Sequence, residues 1–401
     1  MYDAIIVGAR CGGSPTGMLL ARKGYKVLLV DRTTFPSDSM RNHVIRHHGV
    51  VQLHKWGLLD RVIDSGCPPI IKHTVDLGDF PLAGYAPPGD GVTAEYGPRR
   101  FILDKILVDA AAEAGAEVRE GFSVLELLME DGRVTGIKGK AKGGNPVTER
   151  ARIVIGADGQ HSMVARSVGA ESYNEQPPAT CGYFSYFSGI DCDGIEVYLR
   201  DKPAFLLAYA THYGLTCVAT QVPVSNFPSF RADIEKAFME RIELAPDLAE
   251  RVKGGKREER FLGSADLPGF FRKPYGPGWA LVGDAGYHKD PITARGISDA
   301  FRDAELLAEA IDAGLSGKMP LEEAMAEYEK ERNEAAMPTY AEASESAAFK
   351  PIPAMAYKIR AAVRGNQAEI DRMMGVAGGT VPSEEFYSPE NIQRILNGAK
   401  A

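Results

Sequence analysis

The sequence is poor in cysteine and tryptophan and has no excess of basic residues. Its 401 residues include five cysteines, which are scattered and form no Cys-x-x-Cys pair. An odd, scattered set argues against a disulfide framework or a zinc site and suits a reducing compartment. The formal net charge of -8 argues against a nucleic-acid partner, which would require a basic face.

Long apolar runs are absent as well. No stretch approaches the length of a membrane span, and the amino terminus enters a predicted strand without the basic and apolar regions of a signal peptide. We therefore expect a cytoplasmic protein without a membrane span. No Gly-x-Ser-x-Gly elbow points to a hydrolase. The composition is that of an ordinary globular protein, with room for two or three domains on the usual length relation, at roughly 150 residues each.

The first segment that is informative has the layout of a βαβ unit with a glycine-rich turn. Asp3–Val7 is a short apolar run typical of a buried parallel strand, and it ends at Gly8-Ala-Arg-Cys-Gly-Gly13. A helical pattern follows, and a second predicted strand, Lys26–Val30, ends at Asp31. A glycine turn followed by an acid about twenty residues later is the layout of a dinucleotide-binding site.

Each residue type in this turn has a physical reason. Gly8 permits the tight turn, Gly13 lets the helix pack closely on the strand, and Asp31 can accept hydrogen bonds from ribose hydroxyls. Arg10 replaces the middle glycine of the usual pattern. We expect its side chain to crowd a pyrophosphate unless the loop is reshaped near Gly12.

A second informative segment follows Trp279. A short predicted strand breaks at Gly283-Asp284, so a carboxylate lies at the carboxyl end of that strand, where α/β sheets bind ligands. The chain continues through Pro291 and restarts at Gly296 as a long amphipathic helix. The amino terminus of such a helix offers free N–H groups and a positive dipole to an anion. One extended anionic cofactor could contact both features.

A third segment decides between cofactors. A strand from Arg152 ends in Gly156-Ala-Asp-Gly159, and an NAD dehydrogenase would need only the first of the three segments. Together, in this order, they resemble the group A flavoprotein monooxygenases, the para-hydroxybenzoate hydroxylase family. The resemblance extends from the amino terminus into the helix that begins at Gly296.

The resemblance implies an α/β fold with an α+β insert, in which a Rossmann-like FAD-binding domain carries an inserted antiparallel β-sheet as substrate domain and is followed by C-terminal helices. Aromatic and β-branched runs divided by turn signals agree with the inserted sheet. The expected boundaries are 1–74, 96–171 and 272–345 for the FAD-binding domain, 75–95 and 172–271 for the substrate domain, and 346–401 for the C-terminal helices.

The resemblance also implies residue roles in FAD binding. Asp31 would bind the adenosine ribose, with Arg32 beside it, and Arg41 would lie near the pyrophosphate and the flavin. Arg100, followed by leucines at helical spacing, matches an arginine that contacts FAD. Asp158 belongs to a motif associated with both FAD and NAD(P)H.

The remaining implied roles concern the flavin itself. Asp284 would contact the ribityl side and the pyrophosphate region, and Pro291 would lie against the flavin ring. The N–H groups near Gly296 and Ile297 would face its pyrimidine end. Pro291 and Gly296 thus form the catalytic environment of the ring, and no acid or base is assigned.

The chain departs from the family pattern at two positions. Tyr287 follows Gly283-Asp-Ala-Gly where the family has histidine, and Arg295 replaces a glutamine before the helix glycine. We expect both to alter the lining around the flavin. Arg295 could favour an anionic substrate or flavin, or it could be a solvated surface charge.

Two weaker patterns have competing interpretations. His43 and His47 at i, i+4 could grip a metal, but no third ligand is evident, so FAD contacts or exposure are favoured and no metal is expected. The strand Tyr183-Phe-Ser-Tyr-Phe187 alternates aromatic residues, of which one half would be core and the other half would line an apolar substrate pocket.

By resemblance, the activity is that of an FAD-dependent monooxygenase. NAD(P)H and O2 would serve to hydroxylate or epoxidise an aromatic or polyketide-like small molecule through a flavin C4a-hydroperoxide. A carbon–carbon double-bond reductase of the geranylgeranyl reductase type, a flavin-dependent halogenase and a non-enzymatic flavin-binding module stay open. The halogenase interpretation is weaker, because Trp56 and Trp279 are the only tryptophans and no Trp-x-Trp-x-Ile-Pro motif is present. The sequence does not determine the oligomeric state.

Overall fold

The computed structural model describes residues 1–38 and 43–398. In these ranges the strands are β1 (Tyr2–Val7), β2 (Val27–Val30), β3 (Pro69–Ile70), β4 (Lys72–Asp76), β5 (Pro81–Tyr85), β6 (Glu95–Tyr96), β7 (Glu117–Arg119), β8 (Phe122–Glu130), β9 (Arg133–Ala141), β10 (Val147–Gly156), β11 (Ser172–Gln176), β12 (Thr180–Ser188), β13 (Ile195–Arg200), β14 (Ala204–Ala210), β15 (Thr216–Pro223), β16 (Lys256–Arg257), β17 (Leu262–Ser264), β18 (Gly269–Arg272), β19 (Tyr275–Gly276), β20 (Trp279–Leu281) and β21 (Tyr287–His288).

The helices are α1 (Gly13–Arg22), α2 (His47–Lys55), α3 (Leu59–Asp64), α4 (Arg100–Glu113), α5 (Met163–Ser167), α6 (Phe227–Ala232), α7 (Ile234–Ile242), α8 (Pro246–Gly254), α9 (Gly296–Leu315), α10 (Leu321–Ala347), α11 (Ala354–Val363), α12 (Gln367–Gly378), α13 (Ser383–Phe386) and α14 (Pro389–Gly398). Short 3-10 turns occupy His212–Gly214, Val224–Asn226, Gly283–Ala285 and Pro291–Thr293. No helix in the described part of the chain is both long enough and apolar enough to cross a membrane.

The first sheet has a parallel centre in the order β20-β10-β1-β2-β7, with β19 antiparallel at one edge. The hairpin β8–β9 joins it through β10. Its central strands are apolar runs because both faces are covered: Ile6 packs toward α1, α4 and α9, and Ile5 packs toward the hairpin and α5. This confirms the predicted Rossmann-like α/β fold.

The second sheet has the order β16-β12-β15-β14-β13-β4-β5, with β17 beside β12. The aromatic residues of β12 alternate between its faces, as the strand pattern predicts. Tyr183 and Phe187 pack against α6, α7 and α8, whereas Phe184 and Tyr186 lie on the opposite face with Ile70.

The second sheet is not wholly antiparallel, in contrast to the expectation. Strands β4 and β13 pair in parallel. The reason is topological: β4 reaches the sheet from the amino-terminal part of the chain and is separated from β13 by a long crossover, so no hairpin forces the pair to be antiparallel. The other pairs in this sheet are antiparallel.

Strands β11, β18 and β21 form a small third sheet. The strands of the second sheet thus come from residues 72–85 and 180–264. The expected domain boundaries at 75–95 and 172–271 remain a prediction.

The C-terminal helices have two packing sites. Helix α10 packs along α9, and the later helices pack on the β4–β5 edge of the second sheet, where Leu82 meets Val363, Met374 and Phe386. The C-terminal segment therefore lies against the edge of the second sheet.

Candidate functional site

Two glycines of the first turn, residues 8–13, are glycines that no other residue could replace without movement. Gly8 has a φ of +106°, and a Cβ atom there would lie 2.4 Å from the carbonyl oxygen of Ala157. A Cβ atom on Gly13 would lie 1.8 Å from the carbonyl oxygen of Gly8. The roles predicted for both glycines in the turn geometry follow from these distances.

The three sequence motifs meet at one edge of the first sheet. Strands β1 and β20 both flank β10 in parallel, so their carboxyl ends lie side by side. The α carbon of Gly12 would be 3.9 Å from a Cβ atom on Gly283, and the first turn contacts the central turn at Ala157. This edge is where parallel α/β sheets bind ligands.

The carboxylate of Asp31 lies beside the first turn. It accepts hydrogen bonds from the backbone N–H groups of Ala9 and Thr33, each at 2.8 Å. This fixes its side chain at the end of β2, and its predicted ribose contact remains a prediction. Arg32 is exposed, and Arg41 lies outside the described residues.

The side chain of Arg10 turns toward α4. Its guanidinium pairs with the carboxylate of Asp104 and lies 5.5 Å from the centre of the Phe35 ring. The loop therefore accommodates Arg10 by a specific ion pair with a fully buried acid. Sequence reasoning missed Asp104, because nothing local marks an acid in the middle of a helix as the partner of a distant turn.

Arg100 shares the same acid. It lies in the first turn of α4 and donates to Asp104 over 2.9 Å. Burial lowers the pKa of Arg100, but Asp104 and, more weakly, Cys11 and Asp284 outweigh that effect and raise the pKa above its ordinary value. The carboxylate of Asp284 is thus close enough to Arg100 to act on its charge, and it is half-buried at the sheet edge.

Asp158 organises the central turn. Its carboxylate accepts hydrogen bonds from the Ser162 hydroxyl at 2.5 Å and from the Met163 N–H at 2.6 Å. It therefore ties the turn to the start of α5. Its predicted contacts with FAD and NAD(P)H remain predictions.

The loop before α9 is anchored to the second sheet. Asp290 is buried and accepts hydrogen bonds from the Thr180 hydroxyl at 2.7 Å and from the Gln221 amide, as well as from the N–H of Ile292 at 3.1 Å. Burial raises the pKa of Asp290, and these hydrogen bonds oppose that rise. Sequence reasoning missed this network, because its members are far apart along the chain.

The same loop presents the predicted flavin environment. Pro291 and Gly296 are exposed, nothing lies within 4 Å of a Cβ atom on Gly296, and Ile297 is buried. Helix α9 is 20 residues long and begins at Gly296, so its free N–H groups open onto this space. The space around Gly296 and the glycine turns could accept an elongated, polyanionic cofactor.

The two departures from the family pattern have structural explanations. Tyr287 is buried, stacks on Phe271 with ring centres 5.0 Å apart, and accepts a hydrogen bond from Arg302 at 2.7 Å. Its side chain lies in the core beneath α10, and its expected effect on the lining around the flavin stays a prediction. Arg295 is partly exposed and lies 3.5 Å from Glu342, which agrees with the surface-charge interpretation.

The histidine pair of the sequence does not form one face of a helix. His43 precedes α2 and is buried, with its imidazole at 3.0 Å from the Gly97 carbonyl and 2.8 Å from the Tyr186 hydroxyl. His47 is the first residue of α2, and its side chain lines the pocket described in the next paragraph. In residues 1–38 and 43–398 no group of three or more His, Cys, Asp or Glu side chains is arranged to hold a metal ion.

A small, partly open pocket lies beside the amino terminus of α2. His47, His73 and Glu95 contribute its polar groups. Glu95 is buried and accepts hydrogen bonds from the His47 N–H at 3.1 Å and from Arg46 at 3.0 Å. Burial raises the pKa of Glu95 to about 7, and Arg46 opposes the rise. Sequence reasoning did not single out Glu95, since it is flanked by no motif.

Glu95 should make the stability of the protein depend on pH. Since its pKa is raised from an ordinary value of 4.5 to about 7, the folded protein retains a proton that the unfolded chain releases between these values. Stability contributed by the protonated form is therefore lost as the pH rises through this window. The free energy of unfolding of Glu95→Gln, relative to that of wild type, should therefore rise by on the order of 3 kcal/mol from about pH 4 to about pH 8.

Urea unfolding of both proteins across this pH range measures the difference. Glu126→Gln is the matched control, since Glu126 is an exposed acid on β8 that pairs with Lys138. If the free energies of unfolding of wild type and Glu95→Gln differ by the same amount at both pH limits, the raised pKa of Glu95 is contradicted.

Asp284→Ala should give a folded protein that binds FAD weakly. The substitution removes the carboxylate of the third turn, and loss of charge-assisted hydrogen bonds should lower FAD affinity at least about tenfold. Flavin absorbance per chain after gel filtration measures the loss, with the exposed Asp266→Ala as control. A yellow, fully loaded Asp284→Ala protein would contradict the role.

A parallel sheet whose glycine turns converge on an acid and an open helix terminus defines a dinucleotide-binding flavoprotein. Residues 1–212 match the family model described as FAD binding domain, so the chain belongs to this family. The residues present fit FAD, because the amino terminus of α9 at Gly296 is open and leaves N–H groups free for an anionic cofactor, while Gly8 and Gly13 keep the first turn closely packed on its own backbone.

Several curated relatives are reductases. The chain is 30% identical over 321 residues to digeranylgeranylglycerophospholipid reductase 2 of Methanococcoides burtonii, covering 78% of this chain and 76% of that protein. It is 29% identical over 352 residues to the digeranylgeranylglycerophospholipid reductase of Methanocella arvoryzae, covering 83% of each.

Solved structures show the same fold at lower identity. A flavoprotein/dehydrogenase from Cytophaga hutchinsonii has a TM-score of 0.81 at 18% identity, covering 100% of this chain and 98% of that one. The myxobacterial chondrochloren halogenase CndH has a TM-score of 0.79 at 21% identity, covering 99% and 96%. PqsL of Pseudomonas aeruginosa in complex with 2-aminobenzoylacetate has a TM-score of 0.72 at 19% identity, covering 94% and 98%.

Proposed function

We propose that this flavoprotein is an NAD(P)H-dependent monooxygenase that hydroxylates or epoxidises an aromatic or polyketide-like small molecule. FAD, when bound, would supply the hydride and oxygen chemistry, by which NAD(P)H and a proton reduce one atom of O2 to water while the other atom enters the substrate. The chain would hold the flavin through Asp31, Arg100 and Asp284 and direct the N–H groups of α9 at its pyrimidine end. The division into a FAD-binding and a substrate domain belongs to this proposal.

The observation that carries the proposal is the chemistry of the second sheet on its face opposite α6 to α8. Aromatic and aliphatic side chains of this face pack with Val44 and Ile70. Burial raises the pKa of Tyr186 and raises that of Cys217 to about 12, and it lowers the pKa of His43. These groups are therefore neutral near pH 7 and release protons poorly.

This chemistry favours oxygenation over double-bond reduction. Reduction of a carbon–carbon double bond needs a proton as well as a hydride, whereas oxygenation needs an apolar region from which water is excluded. The apolar face beside His43, Tyr186 and Cys217 agrees better with the second condition, because none of these three groups releases a proton readily near pH 7.

A double-bond reductase is the second candidate, and two observations favour it. The relatives at about four-fifths coverage carry that activity in their names. Glu95, with a pKa of about 7, could supply a proton from the neighbouring pocket.

Reoxidation of the reduced FAD-loaded protein separates the candidates. We expect geranylgeraniol under nitrogen to leave the flavin reduced, and we expect NAD(P)H, ¹⁸O2 and a panel of phenols and styrenes to give a product with one labelled oxygen. Flavin reoxidation by geranylgeraniol without oxygen, with a gain of two hydrogens in the product, would instead establish the reductase.

A further inference from the structure

Two consecutive residues, Lys289 and Asp290, hold the loop before α9 from two sides. Asp290 accepts hydrogen bonds from side chains of β12 and β15 in the second sheet. Lys289 contacts the two long helices instead: its ammonium lies 2.6 Å from the Asp299 carboxylate of α9 and donates to the Thr339 hydroxyl of α10 at 2.6 Å. Because Lys289 and Asp290 are both buried, the loop that carries Pro291 is fixed by its own neighbours in the chain.

Lys289 belongs to a largely buried cluster in which two cations meet two carboxylates. The guanidinium of Arg302 lies 3.1 Å from the Asp299 carboxylate and 2.7 Å from that of Asp303. Both acids are buried, and the Oδ2 atom of each makes no well-aligned hydrogen bond in the described part of the chain. Arg302 alone would leave one of the two carboxylates uncompensated. The ammonium of Lys289, 2.6 Å from Oδ2 of Asp299, makes the charges equal.

A third cation, Arg332, is engaged by other groups. Its side chain is fully buried and donates to a backbone carbonyl of β18 at 3.2 Å and to a tyrosine hydroxyl of β11 at 3.1 Å. Burial raises the pKa of Asp303, and Arg302 and, more weakly, Arg332 oppose that rise. Compensation of Asp299 is therefore left to Lys289 and Arg302.

The position of Asp299 connects this cluster to the cofactor site. Asp299 lies three residues after Gly296, in the first turn of α9. Its negative charge therefore offsets the positive end of the helix dipole. The free N–H groups at this end are those predicted to face the pyrimidine end of the flavin, which becomes more negative when FAD is reduced. An uncompensated Asp299 would disfavour reduction of FAD, whereas a neutralised Asp299 would not.

We propose that Lys289 is a positioning residue that keeps the amino terminus of α9 electropositive by neutralising Asp299, and that it thereby raises the reduction potential of bound FAD. This inference rests on the placement of the flavin at α9 in the proposed function. It concerns the step in which FAD accepts electrons, whatever the substrate is. Lys289 acts through Asp299, because its side chain is 6% exposed and its ammonium is engaged by Asp299 and Thr339.

Reductive titration of the purified, FAD-loaded protein against a reference dye under nitrogen measures the midpoint potential of FAD and tests the proposal. Lys289→Met removes the cation and keeps an unbranched side chain. We expect it to lower the ratio of reduced to oxidised FAD at a given potential by about tenfold, which equals a midpoint about 30 mV lower for a two-electron couple. Asp299→Asn should raise the same ratio by a similar factor, because it leaves two cations with one carboxylate.

Three further variants keep the result interpretable. Lys289→Met combined with Asp299→Asn again gives equal numbers of charges, and Lys289→Arg retains the cation, so both should stay within about twofold of the wild-type ratio. Lys273→Met is the matched control, since Lys273 pairs with Glu329 of α10 but its side chain is 42% exposed, and it should leave the potential unchanged. Thermal melting and FAD absorbance per chain show whether each variant is folded and loaded.

The signs of the two shifts decide the proposal. Potentials that fall in both single variants, that rise in Lys289→Met, or that are equal in all the proteins would each overturn it, because a role in stability alone predicts no opposite shifts. If Lys289→Met loads too little FAD, the test passes to the other two proteins, since the double variant should lie below Asp299→Asn by the factor assigned to Lys289.

The titration also separates this inference from the proposed function, because it uses neither NAD(P)H nor O2. Potentials as expected, without any oxygenated product in turnover, would leave the role of Lys289 assigned and count against the monooxygenase alone. An oxygenated product together with unchanged potentials would count against the role of Lys289 alone.

Discussion

Gly13→Ala should yield a protein that is strongly destabilised and retains little FAD, while Gly12→Ala, one residue earlier, should be close to wild type. The two positions share a turn and a substitution, and they differ in the space available. A Cβ atom on Gly13 would lie 1.8 Å from the Gly8 carbonyl oxygen, whereas a Cβ atom on Gly12 would meet nothing nearer than 3.5 Å. Comparison of the two variants therefore tests whether the close approach to the Gly8 carbonyl oxygen is the reason for a glycine at position 13.

The size of the Gly13 effect follows from what must move. The obstacle is the backbone oxygen of Gly8, which cannot rotate away as a side chain would, and Gly8 is itself held against Ala157. Overpacking of this kind costs about 3 kcal/mol or more. Since the displaced backbone forms the turn predicted to receive the pyrophosphate, FAD content should fall together with stability.

Gly12→Ala is the control because its backbone suits alanine. Gly12 has φ -89° and ψ -51°, in the helical region, and is the residue that precedes α1. Alanine at a compatible position changes stability by less than about 1 kcal/mol. Urea unfolding of the apoproteins and flavin absorbance per chain measure both effects. A Gly13→Ala protein as stable and as yellow as Gly12→Ala would show that the turn has more freedom than its geometry indicates.

The parts of the fold that could be predicted are those with local causes. The apolar run before Gly8, the glycine turn and Asp31 lie within one βαβ unit, so their spacing alone predicts their geometry. The alternation of Tyr183 and Phe184 follows from the twofold repeat of a strand. The three turns lie close together because the strands that precede them, β1, β10 and β20, are parallel neighbours.

The parts that could not be predicted depend on partners distant in the chain. Nothing near Arg10 indicates that Asp104 will neutralise it, and nothing near His73 indicates that Glu95 and α12 will enclose it. The orientation of Tyr287 could not be predicted for the same reason, because the packing of β21 beneath α10 decides it. A motif locates a backbone, and long-range packing then decides what each side chain meets.

Arg10 illustrates the point at the cofactor site. Taken from the turn alone, an arginine in place of the middle glycine suggests a clash with the pyrophosphate. Its ion pair with Asp104 instead directs the side chain toward α4 and Phe35. The departure from the glycine pattern is therefore linked to an acid on another helix, and the two residues should be considered together.

Asp104→Ala should destabilise the protein by about 3 to 5 kcal/mol, the cost of leaving a buried charge without its partner. Asp104 is fully buried and compensates both Arg10 and Arg100, and Arg100 is itself buried. Arg10→Gly should cost less than about 1 kcal/mol, because the Arg10 side chain is 28% exposed and its removal leaves the Arg100–Asp104 pair intact. Urea unfolding of the two apoproteins measures this contrast, and equal losses would contradict it.

A double variant separates the structural role of Arg100 from its predicted contact with FAD. Arg100→Leu combined with Asp104→Leu replaces the buried pair by apolar side chains, which often restores stability because no charge remains desolvated. We therefore expect the double variant to recover most of the stability lost in Asp104→Ala. If Arg100 contacts FAD, affinity for the cofactor should nevertheless remain at least about tenfold below wild type, since the cation is gone. A double variant that is stable and binds FAD as tightly as wild type would confine Arg100 to the role of partner for Asp104.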